Sequence, residues 1–141
     1  MQKSSLIEKA FLLKKTTLFA GVDLDLLLSL ADKATMGTFE AQEPIFGACQ
    51  EGSRLYVVAD GRIALFCPEK TLLGEVKSPD FFGDEALFND RPRGYSATAL
   101  ENSALLSITK MHLLSFMNEC PSALINLMQI WANGTLYRDR T

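Results

Sequence analysis

The chain has 141 residues, of which 48% are hydrophobic and 22% are charged, and its formal net charge is −3. This composition is that of an ordinary globular protein, and the length fits one domain with a substantial core. An acidic chain lacks the basic surface that binding to the phosphate backbone of DNA or RNA requires. We therefore expect no nucleic-acid contact by this segment.

The sequence predicts neither a secretory signal nor a membrane span. Lys3, Glu8 and Lys9 interrupt the apolar residues near the N-terminus, whereas a signal peptide needs an unbroken apolar run. No stretch approaches the roughly 18 apolar residues that a transmembrane helix requires. The 3 cysteines are odd in number and widely spaced, which argues against a disulfide framework and fits a reducing compartment. We therefore expect a cytoplasmic protein without membrane contact.

Two short helices are predicted at the N-terminal end. Apolar and charged residues mix at roughly helical spacing over residues 6–15, and Gly21 and Val22 interrupt this pattern. Asp23 is a suitable N-cap for a second helix over residues 24–33, because an Asp side chain accepts hydrogen bonds from the free N–H groups of a first turn.

The middle of the chain changes to short β-prone runs that are separated by turn signals. The Asp60-Gly61 pair is the strongest hairpin signal, because Gly readily adopts the positive φ that a tight turn needs. Regular short strands with frequent turns indicate a β-sandwich or a barrel. The predicted strands are 37–40, 44–46, 55–58, 62–66, 71–73, 95–100 and 104–108.

Helical spacing returns after Thr109, a suitable N-cap, and Pro121 opens a last helix. The order of helices, then about eight strands, then helices predicts the α+β class in a single domain. The predicted division of the domain, residues 1–141, is helices over 6–34, β-structure over 36–108 and C-terminal helices over 110–137.

One segment, from Asp80 to Ser96, departs from the rhythm of the strands. Gly83 is followed by a short Asp-Glu-Ala-Leu-Phe run that suits a single helical turn. Such a turn presents free backbone N–H groups and the positive end of its dipole. Arg93 lies ten residues after Gly83 and offers a planar fork of donors that matches phosphate oxygens. These residues alone leave two interpretations open, a phosphate cradle and a loop with an exposed Arg.

Several motifs in order resemble the cyclic nucleotide-binding domain family, which includes cAMP receptor proteins, cyclic-nucleotide-dependent kinases and gated channels. Residues 82–87 read F-G-D-E-A-L and residues 92–96 read P-R-G-Y-S. They are similar to the family's phosphate-binding cassette, F-G-E-x-A-L followed by P-R-x-A-T/S. Residues 13–21 and 52–62 are also similar to family motifs. The resemblance covers nearly the whole chain and implies an antiparallel, jelly-roll-like β-roll of about eight strands with helices at both ends.

The resemblance also implies roles for residues of the cassette, the name we give to residues 82–96. Arg93 would pair with the cyclic phosphate, and Asp84 would bond the ribose 2′-hydroxyl. The other ligand-binding residues that it implies are Gly83, Glu85, Ala86, Gly94 and Ser96. Branches that prefer cGMP often have Thr directly after the Arg, so Gly94 favours cAMP over cGMP as the ligand. No metal and no further cofactor are expected.

Two positions of the cassette depart from the family pattern. Asp84 is one methylene shorter than the family's Glu, and Glu85 would substitute for it if the turn rotates. Tyr95 stands in the place of a small Ala, where it would fill part of the pocket, stack near the base or lie on the rim. These departures leave an alternative function open, a barrel of this fold that serves as a nucleotide-independent protein interaction module.

The C-terminal helix carries Trp131 and Tyr137, which are interpreted either as core packing or as a lid over the ligand. His112 is the only histidine, so a Ser-His or His-based metal site is excluded and no enzyme activity is expected. We expect a regulatory domain in which a cyclic nucleotide repositions the C-terminal helices. Its effector, a protein or a domain, would lie outside this chain.

Overall fold

The computed structural model describes residues 5–48, 52–87 and 93–133. These residues form four α-helices, eight strands and two short 3-10 helices. The α-helices are α1 (Leu6–Lys15), α2 (Leu24–Lys33), α3 (Lys110–Glu119) and α4 (Pro121–Asn133). The strands are β1 (Thr35–Phe39), β2 (Pro44–Phe46), β3 (Arg54–Asp60), β4 (Arg62–Phe66), β5 (Leu72–Lys77), β6 (Phe81–Phe82), β7 (Ser96–Ala99) and β8 (Ser103–Thr109). The 3-10 helices are Thr17–Phe19 and Asp84–Leu87, and we call the second the cassette turn.

The strands form two antiparallel sheets of four, in the orders β1-β8-β3-β6 and β2-β7-β4-β5. The predicted α+β class and the antiparallel β-roll are therefore confirmed. The short strand β6 was not predicted, because two residues are too few to show an alternating pattern. It pairs with β3 through Tyr56 opposite Phe82 and leads directly into the cassette turn.

The Asp60-Gly61 turn does not close a hairpin, which corrects the expectation from sequence. Gly61 does adopt a positive φ of 93°. However, β3 pairs with β6 and β8, whereas β4 pairs with β5 and β7. The turn therefore carries the chain from one sheet to the other, because both edges of β3 are already occupied by other strands.

The helices begin where their capping residues allow. Ser5 and Glu8 form a reciprocal capping box at the start of α1. Thr109 accepts a hydrogen bond from the His112 N–H at 3.2 Å, so the predicted N-cap of α3 is confirmed. Asp23 occupies the N-cap position of α2 but makes no side-chain capping bond. Within the described residues no helix is both long and apolar enough to cross a lipid bilayer.

The apolar residues divide into two cores on opposite faces of the sheet that contains β3. One core, which we call the helix-side core, packs α1, α2, α3 and α4 against this sheet. The other, the barrel core, fills the space between the two sheets. Because successive residues of a strand face opposite sides, Phe81 of β6 belongs to the helix-side core and Phe82 to the barrel core. The cassette turn that follows β6 is thus placed at the boundary between the cores.

Replacing Gly61 with Ala should destabilise the fold by about 1–3 kcal/mol, because a non-Gly residue is strained at positive φ. A Cβ at Gly61 would also lie only 2.8 Å from the Ser103 Cα. Gly37→Ala is the matched control, since a Cβ there meets only Phe39, at 3.7 Å. Urea unfolding of both variants measures the difference, and equal free energies of unfolding would contradict the strain at Gly61.

Candidate ligand-binding site

The site is built around Gly83, the residue between β6 and the cassette turn. Gly83 is buried and has φ +85°, a conformation that L-residues with a Cβ rarely adopt. A Cβ at this position would lie 2.9 Å from Arg93 Nη1 and 3.0 Å from the Arg54 carbonyl oxygen. Only glycine therefore allows β3 and the Arg93 side chain to approach the turn this closely.

Arg93 is directed into this site and is only 7% exposed. Its Nη1 donates to the Gly83 carbonyl at 3.0 Å, and its Nη2 donates to the Arg54 carbonyl at 2.9 Å. The Nε is buried and has no hydrogen-bond partner among the described residues. No described residue forms an ion pair with Arg93, so two neutral carbonyls are the acceptors for a buried positive charge. Burying such a charge is costly without a counter-ion, which makes the position attractive to an anion.

An aromatic cluster contacts the guanidinium through one of its rings. The Phe46 ring centroid lies 4.2 Å from Arg93 Cζ, within the range of a cation–π contact. Phe46 is also 5.7 Å from the Tyr95 ring and 6.0 Å from both Tyr56 and Phe82. The Phe46 ring covers one face of the cation, and an apolar wall strengthens the interaction of the cation with any anion that enters.

Gly52 also leaves space for the Arg93 side chain, because it has no Cβ. A Cβ at Gly52 would overlap the guanidinium, with Arg93 Cδ only 2.9 Å away. The site contributions of Gly52, Phe46 and the Arg54 carbonyl were not predicted from sequence. Phe46 lies on a predicted strand among other apolar residues, and a backbone carbonyl carries no sequence signal at all.

Asp84 is fully buried and faces the C-terminal helix. The Trp131 indole Nε1 of α4 donates a hydrogen bond to Asp84 Oδ2 at 2.6 Å. Trp131 is half-buried and packs against the helix-side core. The ribose contact that the resemblance assigns to Asp84 remains a prediction, and in this structure its carboxylate instead connects the cassette turn to α4.

Glu85 faces the barrel core rather than the helices. The Tyr95 hydroxyl donates to Glu85 Oε1 at 2.8 Å and accepts from the Gly83 N–H, also at 2.8 Å. The Tyr95 side chain is 1% exposed. Its burial raises the pKa of the phenol well above its usual value, and the nearby Glu85 and Asp84 carboxylates raise it further. Tyr95 therefore lies in the barrel core and not on the rim, and its position relative to a ligand remains a prediction.

The remaining predicted site residues lie beside this centre. Gly94 is half-buried after Arg93, and Ser96 is the first residue of β7, opposite Phe66 of β4. Ala86 belongs to the cassette turn, but its side chain is outside the described part of the structure. Tyr137 also lies outside the described residues. Within the described residues, 5–48, 52–87 and 93–133, no group of His, Cys, Asp and Glu side chains forms a candidate metal site.

A comparison with known protein families covers the segment that contains Gly83 and Arg93. A sequence profile of the cyclic nucleotide-binding domain matches residues 37–120, which is more than half of the chain. The chain belongs to the cyclic nucleotide-binding domain family. The match includes the cassette, so the resemblance noted from its motifs is confirmed.

Individual relatives of this cyclic nucleotide-binding domain are receptors and regulatory subunits. The cyclic AMP receptor protein of Thermus thermophilus is 28% identical over 127 residues, covering 85% of this chain and 57% of that protein. The cAMP-dependent protein kinase regulatory subunit of Dictyostelium discoideum is 28% identical over 97 residues, covering 62% of this chain and 29% of the subunit. The domain thus spans little more than half of the first relative.

Solved structures show the same fold. The Thermus thermophilus catabolite activator protein has a TM-score of 0.77 and 25% identity, over 83% of this chain and 57% of that chain. The regulatory subunit of a cAMP-independent protein kinase A from Trypanosoma brucei has a TM-score of 0.79 and 18% identity, over 95% of this chain and 49% of that chain. The second likeness is one of fold alone.

The buried phenol of Tyr95 should make the domain sensitive to alkaline pH. A phenol whose pKa is raised on folding contributes stability that is fully present below the pKa of the unfolded chain, about 10. That stability is lost as the pH rises toward the folded pKa. Urea unfolding at several pH values should show the wild-type free energy of unfolding falling more steeply above about pH 10 than that of Tyr95→Phe. The extra slope is at most about 1.4 kcal/mol per pH unit. If the free energy of unfolding falls equally with pH in the two proteins, the raised pKa of Tyr95 is contradicted.

Proposed function

We propose that this domain is a regulatory sensor that binds a cyclic nucleotide, with the phosphate held by Arg93. The supporting observation is the buried guanidinium itself. Among the described residues its Nε has no hydrogen-bond partner, and its Nη1 and Nη2 donate to backbone carbonyls. A phosphate supplies both the missing negative charge and several acceptor oxygens. Charge-assisted hydrogen bonds of this kind are about twice as strong as those to neutral acceptors. A phosphate therefore competes favourably with the carbonyls of Gly83 and Arg54.

The same competition gives a route from the ligand to the C-terminal helix. When a phosphate draws Arg93 Nη1 away from the Gly83 carbonyl, the turn loses a contact that fixes its position. Asp84 lies in that turn, and its carboxylate is bonded to Trp131 of α4. A movement of the turn therefore breaks or displaces the Trp131 contact and changes the position of α4. Differential contacts in two states are what such coupling requires.

The proposed ligand is cAMP rather than cGMP. Gly94 follows Arg93 and has no side-chain hydroxyl with which to contact guanine. Two relatives, from Thermus thermophilus and Dictyostelium discoideum, carry cAMP in their names. The effector would be a protein or a further domain outside the 141 residues. We also propose a cytoplasmic location, a regulatory rather than a catalytic role, and no contact of this segment with nucleic acid or membrane.

A second candidate function is a protein interaction module that does not respond to nucleotides. It is favoured by the Tyr95 side chain, which already occupies part of the barrel interior and bonds the Gly83 N–H. The Trypanosoma brucei neighbour, the regulatory subunit of a protein kinase A described as cAMP-independent, has this fold, which favours a role of the fold that does not depend on cAMP. Calorimetric titration of the wild type with cAMP and cGMP separates the two functions, because the module would give no binding heat with either.

Arg93→Ala should weaken cAMP binding at least about 30-fold, because removing one side of a buried charge pair costs roughly 2–5 kcal/mol. Arg62→Ala is the matched control. Arg62 is also an arginine with carboxylate partners, but its side chain is 47% exposed and lies on the surface near Glu75 and Glu101. Dissociation constants from calorimetry decide the question, after thermal unfolding has shown that both variants fold. Similar affinities for the wild type and Arg93→Ala would place the ligand elsewhere.

Trp131→Phe should bind cAMP more tightly than the wild type, by about 5- to 10-fold, the equivalent of one hydrogen bond. The reason is that the ligand no longer has to break the contact between Trp131 and Asp84. Met128→Leu is the control, because Met128 lies on the same helix and is exposed. Unchanged affinity in Trp131→Phe would show that the α4 contact is not coupled to the ligand.

A further inference from the structure

The contacts of the Tyr95 hydroxyl define a small recognition site. The oxygen accepts from the backbone N–H of Gly83 and donates to the carboxylate of Glu85, each at 2.8 Å. A backbone donor and a carboxylate acceptor that meet at one oxygen match a hydroxyl group, which both accepts and donates. The site that the protein fills with its own phenol is therefore complementary to a hydroxyl of a ligand.

This hydroxyl site adjoins the anion position at Arg93. Gly83 belongs to both, because its N–H bonds Tyr95 while its carbonyl accepts from Arg93 Nη1. The Tyr95 ring is also packed 5.7 Å from Phe46, the ring that lies against the guanidinium. A ligand whose phosphate reaches Arg93 would therefore approach Gly83, the residue whose N–H bonds the Tyr95 hydroxyl.

A nucleoside 3′,5′-cyclic phosphate carries a single free ribose hydroxyl, the 2′-hydroxyl, because the phosphate esterifies the other two. We infer that Tyr95 is a specificity-determining residue that occupies the position of this hydroxyl, so that the domain does not distinguish ribose from deoxyribose in its ligand. This inference rests on the proposed function. Glu85 is the carboxylate of this hydroxyl site, and Asp84 contacts α4 instead.

The test compares the affinities for cAMP and for 2′-deoxy-cAMP in the wild type, in Tyr95→Ala and in Tyr95→Phe. The wild type should bind both nucleotides with equal affinity. Tyr95→Ala removes the hydroxyl that contacts the Gly83 N–H and the Glu85 carboxylate, and should prefer cAMP by at least about 10-fold, as one hydrogen bond to a charged group predicts. Tyr95→Phe keeps the ring in the barrel core and also removes the hydroxyl. It should therefore show a preference for cAMP that the wild type lacks, even if the Ala variant does not fold.

Two further variants identify the carboxylate. In the Tyr95→Phe background, Glu85→Gln should reduce the preference for cAMP, because an amide oxygen is a weaker acceptor than a carboxylate. Asp84→Asn should leave the preference unchanged. The opposite result would assign the hydroxyl contact to Asp84 and overturn the role given to Glu85.

The outcomes separate this inference from the proposed function. If the wild type already prefers cAMP as strongly as the Tyr95 variants do, the inference fails while the proposed function stands. If neither the wild type nor any variant binds either nucleotide, both fail. If only the Tyr95 variants bind, the proposed function fails for the native chain, and the inference that the native chain binds ribose and deoxyribose nucleotides alike fails with it.

Discussion

The site depends on one buried positive charge that has no counter-ion among the described residues. Arg93 is held by two backbone carbonyls and lies against the Phe46 ring. Such an arrangement positions the guanidinium without neutralising it. Its geometry requires glycine at two places, since a side chain at Gly52 or Gly83 would collide with Arg93. The fold therefore holds the Arg93 guanidinium in place, and we propose that a phosphate neutralises its charge.

The cassette turn connects this cation to the rest of the domain because it lies between two cores. Consecutive acidic residues of the turn face opposite sides, Asp84 toward Trp131 and the helices, and Glu85 toward Tyr95 and the barrel. One short 3-10 helix thus contacts both the proposed ligand position and α4. A displacement of a few ångströms in this turn would require side chains to repack in both cores, because packed interiors do not deform continuously.

The sequence predicts the fold well and the site only in part. Capping residues, strand rhythm and ordered motifs identify the helices, the β-roll and the position of Arg93. They misassign Asp60-Gly61 as a hairpin, because turn chemistry specifies a tight reversal and does not specify which strands pair. They also cannot supply the Arg54 carbonyl, since every residue has one, or the directions of Asp84 and Glu85, since these depend on where the turn sits between the cores. Tyr95 is visible as an unusual residue, but its two hydrogen bonds require the folded chain.

We propose that ligand binding at Arg93 is transmitted through the cassette turn to α4. The domain has a single tryptophan, so its indole N–H gives one side-chain resonance in a nitrogen–proton NMR spectrum. The hydrogen bond of Trp131 to Asp84 fixes the position of that resonance. On saturation with cAMP the resonance should move to a new position in the wild type and stay in place in Arg93→Ala. An indole resonance that does not move when cAMP saturates the wild type would contradict transmission from Arg93 to α4.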